Sequence, residues 1–296
     1  MIKNYFFIAI MVSLLSFARA LKAEQKPRII ALSPHIVEML FDIGAGEQII
    51  ATVEHANYPK QAMKIPRIGN YLGLQTERII ELQPDIIIAW QSGGATSDLT
   101  RLKGLGFTVI YSDPKKFSDI ASDINKLGKI TGHEQKANRL AKHFLAKLAN
   151  IKKTYNNKSK ITAFYQLWSN PLTTVAQGSW PQQYLDICQV ENPFYHAVNS
   201  YPTVSIEQII TQPIELIIIP TNKIIAKTTT QQNLNRYWQK WSKIKAVKNK
   251  QFIYPNADKM HRMTLRALTG LTEFCQQIDR VRSFYLHASL KDMKVN

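Results

Sequence analysis

The chain has 296 residues, 45% of them hydrophobic, and 38 Lys and Arg against 21 Asp and Glu, a formal net charge of +17. That length accommodates two domains of ordinary size, and the apolar fraction excludes a disordered chain. The lysines are scattered along helix faces (Lys142, Lys147, Lys152, Lys153) without a nucleic-acid-binding motif or an aromatic-basic platform, so no nucleic acid is expected as a partner.

Residues 1–20, MIKNYFFIAIMVSLLSFARA, set an early Lys3 before an apolar run and end on Ala18-Arg19-Ala20. This order reads as a secretory signal peptide, with a second cut site after Ala23. The run is short for a membrane span, and no other stretch reaches spanning length. Export into an oxidising compartment favours pairing of the only two cysteines, Cys188 and Cys275; two separate buried thiols are the other reading.

"RIIAL" (28–32) reads as a buried strand, and "HIVEMLFDIG" as a helix closed by Gly44. "QIIATV" (48–53) is a second strand, and residues 54–75 are loop-like. "TERIIEL" is a short helix with Thr76 as its N-cap, stopped by Pro84, and "DIIIAW" (85–90) is the next strand. A helix over 96–104 and the strand "FTVIYS" (107–112) follow. Strands alternating with helices imply parallel pairing, and the unbroken isoleucines suit a sheet covered on both faces. Residues 117–132 and 134–155 then read as two helices, with Leu140, Phe144, Leu148 and Ile151 at three- and four-residue steps. The second spans ~35 Å at 1.5 Å per residue, long enough to join two bodies.

The strand–helix grammar restarts with "KITAFYQL" (160–167) and a helix over 180–190 with Ser179 as its N-cap. The short helix "SIEQIIT", the strand "IELIIIP", a helix over 231–242, the strand "KQFIYP" (250–255) and a final helix over about 262–285 complete the chain. "TERIIELQPDIIIAW" (76–90) is echoed by "SIEQIITQPIELIIIP" (205–220), and each copy carries a glutamate, Glu77 or Glu207, with a second acid, Asp85 or Glu215, eight residues on. The expected fold is therefore α/β: two similar lobes with mainly parallel sheets flanked by helices, joined by one long backbone helix, with a ligand cleft between them. The lobes are expected at 24–116 and 158–279, with linking helices at 117–157 and a C-terminal tail at 280–296.

Open α/β sheets bind ligands beyond the carboxyl ends of their strands. Those loops carry His55, Tyr58, Tyr71, Trp90, Trp168, Tyr201, Asp258, His261 and Arg262, drawn from both halves. Aromatic rings outside the apolar period are costly to expose, and a broad, flat, apolar ligand would cover them; any one alone reads as core. Enzyme signatures are absent, with no G-x-S-x-G, H-E-x-x-H or phosphate loop, so no catalytic residue is expected. Ser33 and His35, two apart, read as a chance pair. The histidines lack short-range metal spacing, so neither metal nor resident cofactor is expected; a site drawn from the distant loops of His35, His55 and His261 is the metal alternative.

"RIIALSP" with Glu38, "ANYP" with Tyr58, "GLQTERIIELQPDIIIAW", "YPTVSIEQII", "LDICQVENPF" and "CQQI" together resemble the periplasmic substrate-binding proteins with a helical backbone, over residues 28–277. Within that family the likeness is to the members that take vitamin B12 (cobalamin) to an ABC importer. The resemblance implies a non-enzymatic periplasmic receptor of a Gram-negative bacterium, a monomer when free, whose cobalt stays within the ligand. It implies ligand contacts from Trp90, from Tyr71 and Tyr201 where the family has tryptophans, from His55 where it has a tyrosine, from Trp168, and from the polar pair Asp258 and Arg262. It implies a Cys188–Cys275 disulfide, and docking of Glu77 and Glu207 to arginines of an inner-membrane permease dimer with its ATPase subunits. The same scaffold binding haem, with His55 or Tyr71 on iron, or a ferric siderophore is the alternative ligand reading, and an exported hydrolase the alternative of another class.

Overall fold

A computed structural model of the protein describes residues 26–70, 72–222 and 236–295. The expected signal peptide, Tyr71 and the first part of the expected 231–242 helix lie outside the described residues. In chain order the first half forms β1 (Ile29–Ala31), α1 (Pro34–Ile43), β2 (Ile49–Thr52), a small hairpin of β3 (Gly69–Asn70) and β4 (Gly73–Leu74), α2 (Thr76–Leu82), β5 (Ile86–Trp90), α3 (Thr96–Gly104) and β6 (Val109–Ser112). Helices α4 (Phe117–Thr131) and α5 (Glu134–Tyr155) follow. The second half forms β7 (Ile161–Tyr165), a hairpin of β8 (Trp168–Ser169) and β9 (Leu172–Thr173), α6 (Gln182–Ile187), β10 (Val190–Glu191), α7 (Ile206–Ile210), β11 (Leu216–Ile218), α8 (Lys245–Lys248), β12 (Phe252–Ile253), α9 (Ala257–His261) and α10 (Ala267–Val295).

The two halves share one topology. The first sheet runs β2-β1-β5-β6 and the second β10-β7-β11-β12, so in each the second strand of the lobe lies beside the first and the third beyond it. The pairings within both sheets are parallel. Ile29, Ile30, Ile87 and Ile88 in one sheet and Ile217 and Ile218 in the other are fully buried, as strands covered on both faces require.

The echoed acids fix strand register in both lobes. The Arg28 amide donates to Asp85 Oδ2 (2.7 Å), while the Asp85 amide donates to the Arg28 carbonyl (3.0 Å). In the other lobe the Thr162 amide donates to Glu215 Oε2 (3.2 Å), and the Glu215 amide to the Thr162 carbonyl (2.9 Å). A carboxylate thus accepts the amide that the ladder leaves over at the entry of each sheet, a charge-assisted bond of about 1.5–3 kcal/mol.

Several boundaries differ from expectation. Thr76 is the first residue of α2 rather than its N-cap, which is Gln75. The Thr76 hydroxyl is turned to neighbouring side chains, donating to Glu77 Oε2 and accepting from Arg101 Nη1, both at 3.2 Å. Helix α6 starts at Gln182 with Pro181 at its N-cap, although Ser179 Oγ still accepts from the Gln182 amide (3.4 Å). Of the expected 231–242 helix, residues 236–239 are helical and 240–243 form turns. The expected final helix over 262–285 starts only at Ala267 and runs to Val295 as α10, and the unexpected short helix α9 precedes it across Arg262–Arg266. Gly44 does close α1, at φ 94°, and the amide after it, from Ala45, returns to the Leu40 carbonyl (2.8 Å).

Helix α5 buries Ala137, Ala141, Phe144, Leu148, Ile151 and Tyr155 along one stripe. One continuous core takes in β1 and β5 residues of the first lobe, this stripe, β7 and β11 residues of the second, and Leu271, Phe274 and Ile278 of α10. Phe117, at the start of α4, lies 5.0 Å from both Trp180 and Tyr184 between ring centroids, and Tyr184 packs edge-on against Phe274. Cys188, just past α6, is disulfide-bonded to Cys275 of α10 with Cα atoms 5.1 Å apart.

Candidate ligand-binding cleft

Three cavities lie at the carboxyl ends of the strands. One, of about 160 Å³, opens at the ends of β1 and β5 and is lined by Ser33, His55 and Trp90 among others. Its counterpart at the ends of β7 and β11, about 510 Å³, is lined by Gln166, Trp168, Thr221 and His261. Each sits at its sheet's topological switch point, the place where open α/β sheets present ligand crevices. A third, of about 290 Å³, lies between the lobes, with Trp90, Asp113 and Lys115 on one side and Trp180, Ser200 and Tyr201 on the other.

Trp90 borders both the first and the third cavity, and its ring is held on two sides. Its Nε1 donates to Asp113 Oδ1 (2.9 Å). The His35 ring packs against it at 5.7 Å and 83°. Gly93 turns so tightly over the indole that a Cβ there would come within 2.7 Å of the ring. Ser33 and His35 are not a chance pair, contrary to expectation. Ser33 Oγ lies 2.6 Å from His35 Nδ1, His35 Nε2 lies 2.9 Å from Ser112 Oγ, and Ser112 Oγ donates to Asp123. With Ser112 donating onward, Nε2 carries the proton and Nδ1 accepts from Ser33. Burial drives the His35 pKa down to about 3, so the ring is neutral within this relay. The relay fixes the floor beneath Trp90.

The expected ligand residues divide by environment. Trp168 and Tyr201 present large exposed rings, 65% and 49% accessible, to the second and third cavities respectively. His55, with φ 65°, sits at the mouth of the first cavity. Asp258 and Arg262 pair with each other (3.0 Å), but the Arg262 side chain is only 13% exposed and is directed between the lobes. Its Nη1 donates to Glu38 Oε1 (2.7 Å) and its Nη2 to the His55 carbonyl (3.3 Å). Arg266 adds a two-pronged pair to the same carboxylate, Nε to Oε2 (2.8 Å) and Nη2 to Oε1 (2.6 Å), and stacks over the Tyr58 ring (3.7 Å). Glu38, 1% exposed, is therefore the centre of a clasp joining α1 to the segment between α9 and α10. His35, His55 and His261 lie apart: His35 is enclosed by Ser33 and Ser112, and His261 meets the Tyr165 hydroxyl (2.8 Å) in the other lobe. Among the described residues no group of three or more His, Cys, Asp or Glu is placed to hold a metal.

Sequence reasoning missed Asp113, Lys115 and Ser92. Lys115 Nζ meets Asp113 Oδ2 (2.8 Å) and Ser92 Oγ (2.5 Å), and Ser92 donates to Asp113 (3.2 Å). Burial opposes ionisation of Asp113, but the hydrogen bonds from Lys115, Ser92 and Trp90 outweigh it and hold its pKa below the usual carboxylate value. Gln183 of the opposite lobe fixes this segment, accepting from the Phe117 amide (3.1 Å) and donating to the Lys115 carbonyl (2.9 Å). The "SDP" after β6 was a legible signal, since it is the next strand-end loop beside Trp90.

The sequence profile of the periplasmic binding protein family matches residues 29–258. The chain belongs to that family. A vitamin B12-binding protein of Vibrio parahaemolyticus is 34% identical over 260 residues, which cover 88% of this chain and 92% of that protein. One from Photorhabdus laumondii is 29% identical over 272 residues, 92% of this chain and 94% of its own length. Among solved structures, the periplasmic vitamin B12-binding protein of Vibrio cholerae superposes with a TM-score of 0.77 at 32% identity, covering 87% of this chain and 98% of that one. The periplasmic haem-binding protein RhuT from Roseiflexus has a TM-score of 0.76 at 18% identity, covering 86% and 99%, and so shares the fold.

In this periplasmic binding protein Glu77 and Glu207 occupy the same place in their lobes, the second residue of α2 and of α7. Both carboxylates are exposed. Each is held below the usual carboxylate pKa, first by its own backbone amide at the helix start and then by the hydroxyl of Thr76 or Ser205. Arg101 lies 3.3 Å from Glu77, an exposed pair of small energetic weight.

Proposed function

We propose that the protein captures cobalamin in the periplasm, between its two lobes, and delivers it to an inner-membrane ABC importer. The observation that carries this reading is the cavity with Trp90 on one lobe and Tyr201 on the other, two aromatic walls from the two halves of a repeat. A flat macrocycle inserted there covers both rings, and Trp168 supplies a third ring at the second lobe's cavity. Covering roughly 300 Å² of apolar surface stabilises by about 7–8 kcal/mol at 25 cal/mol per Å², against which the association entropy counts. His55, in the first cavity beside Trp90, supplies a polar contact, and Asp258 acts through Arg262, whose hydrogen bonds to Glu38 and the His55 carbonyl join the lobes; Tyr71 is assigned to the ligand on the family resemblance alone. The names of the relatives, vitamin B12-binding proteins at 34% identity over most of both chains, support the ligand.

Delivery rests on Glu77 and Glu207. Two equivalent carboxylates on two similar lobes match two equivalent arginine sites on a permease dimer, where charged pairs set register and steer encounter. The Glu38 clasp and the shared core favour small closure on binding. Calorimetry with cyanocobalamin tests the site. Trp90→Ala should weaken binding at least about tenfold, as the loss of a buried aromatic anchor does; unchanged affinity removes Trp90 from the site.

A further inference from the structure

We propose that Asp113 and Lys115 form a carboxamide-reading pair that selects a macrocycle fringed with primary amides over one fringed with carboxylates. The inference rests on the ligand reading above and adds the chemical feature that sets selectivity. Both side chains border the interlobe cavity beside Trp90 and opposite Tyr201.

The argument is one of hydrogen-bond capacity. An ionised carboxylate accepts about four hydrogen bonds, and an ammonium donates three. Among the described residues Asp113 accepts from Trp90 Nε1, Ser92 Oγ and Lys115 Nζ. Lys115 Nζ donates to Asp113 and Ser92. One acceptor site, on Asp113 Oδ1, and one donor on Lys115 are left, with Lys115 Nζ held 2.8 Å from the other carboxylate oxygen, Oδ2. A primary carboxamide offers the complement, an N–H for Asp113 and a carbonyl oxygen for Lys115. A carboxylate offers acceptors alone, and it would bring a second anion to an ammonium already neutralised by the first. The Asp113 side chain is 16% exposed, so water screens that repulsion poorly, while Lys115, at 66%, reaches to the cavity edge. Asp113 keeps its charge because its three donors outweigh its burial. The segment is also fixed from the opposite lobe by Gln183, so the pair is preorganised on the two-lobed frame.

The pair therefore works chiefly against the wrong ligand. Cobalamin carries primary amides around its ring, whereas haem carries propionates, and cobalamin with one amide hydrolysed is the smallest change that tests the point. Calorimetry is performed on the wild-type protein, Asp113→Asn and Lys115→Ala with cyanocobalamin and with its separated monocarboxylate isomers. Preference is scored on the isomer that the wild type rejects most. The wild type should favour the amide form by about tenfold, the range expected for a charge brought against a partly buried like charge. Asp113→Asn removes the repelling charge and should narrow that preference to about threefold or less, whereas Lys115→Ala leaves Asp113 unneutralised and should widen it. Opposite shifts in the ratio are not produced by a general loosening of the fold. Should Asp113→Asn fail to fold, the exposed Lys115→Ala variant decides alone. A ratio unmoved in the variants overturns the inference while leaving cobalamin as the ligand; a wild type that binds no cyanocobalamin overturns the ligand reading and this inference with it.

Discussion

Replacing Glu38 should loosen the two lobes more than any single surface change. The carboxylate is 1% exposed and accepts three charge-assisted bonds, one from Arg262 and two from Arg266. Removing one partner of a buried ion pair typically costs 3–5 kcal/mol, because the other charge stays behind without compensation. Here the arginines are 13% and 22% exposed, Arg262 retains Asp258, and Arg266 retains the Tyr58 ring, all of which soften the loss. We expect Glu38→Ala to destabilise by about 3 kcal/mol, or roughly 6–10 °C in melting temperature for a chain of this size. Glu38→Gln keeps an acceptor and the side-chain volume and should lose about half as much. Differential scanning calorimetry on residues 21–296 measures both. A Glu38→Ala melt within about 1 °C of wild type would show that the clasp carries no net interlobe energy, and the reasoning from burial and geometry would be wrong.

Two further outcomes follow from the site and its surroundings. Burial, the larger effect, outweighs the charge of Asp258 and lowers the His261 pKa to about 4, so the folded protein keeps that ring neutral while the unfolded chain protonates it near 6.5. Stability from this group is present above pH 6.5 and is lost as pH falls toward 4, by about 2–3 kcal/mol between pH 7.5 and 4.5; His261→Gln should flatten the melting profile over that interval, and an equally steep profile in the variant would refute the assignment. Glu77→Ala combined with Glu207→Ala should abolish uptake of labelled cobalamin by whole cells while leaving its affinity for the purified protein unchanged; normal uptake would remove the docking role.

Much of the frame was legible because its signals are local. The three- and four-residue apolar steps fixed α4 and α5 to within a residue, and the isoleucine runs marked β1, β5 and β11. The echoed glutamate–proline–acid unit announced the repeat, which the identical strand orders bear out. What was hidden depends on contacts far apart in the chain. The break between α9 and α10 is set by Arg262 and Arg266 reaching Glu38, more than 220 residues away, and no periodicity encodes that. The β3–β4 and β8–β9 hairpins have two-residue strands, too short for any alternation to register. Ser33 and His35 read as an accident because Ser112 and Asp123, which complete their relay, enter from another strand and helix. Asp113 escaped notice for the same reason: its meaning comes from Trp90, which sits at the end of the neighbouring strand β5.

The central claim, that two like lobes hold a flat amide-fringed macrocycle between aromatic walls, is tested most directly by titrating the protein with cyanocobalamin in a calorimeter. One ligand should bind per chain, with nanomolar to low micromolar affinity and a negative heat-capacity change from the apolar rings it covers. No heat with cyanocobalamin, together with a Soret band on adding haem, would contradict the account.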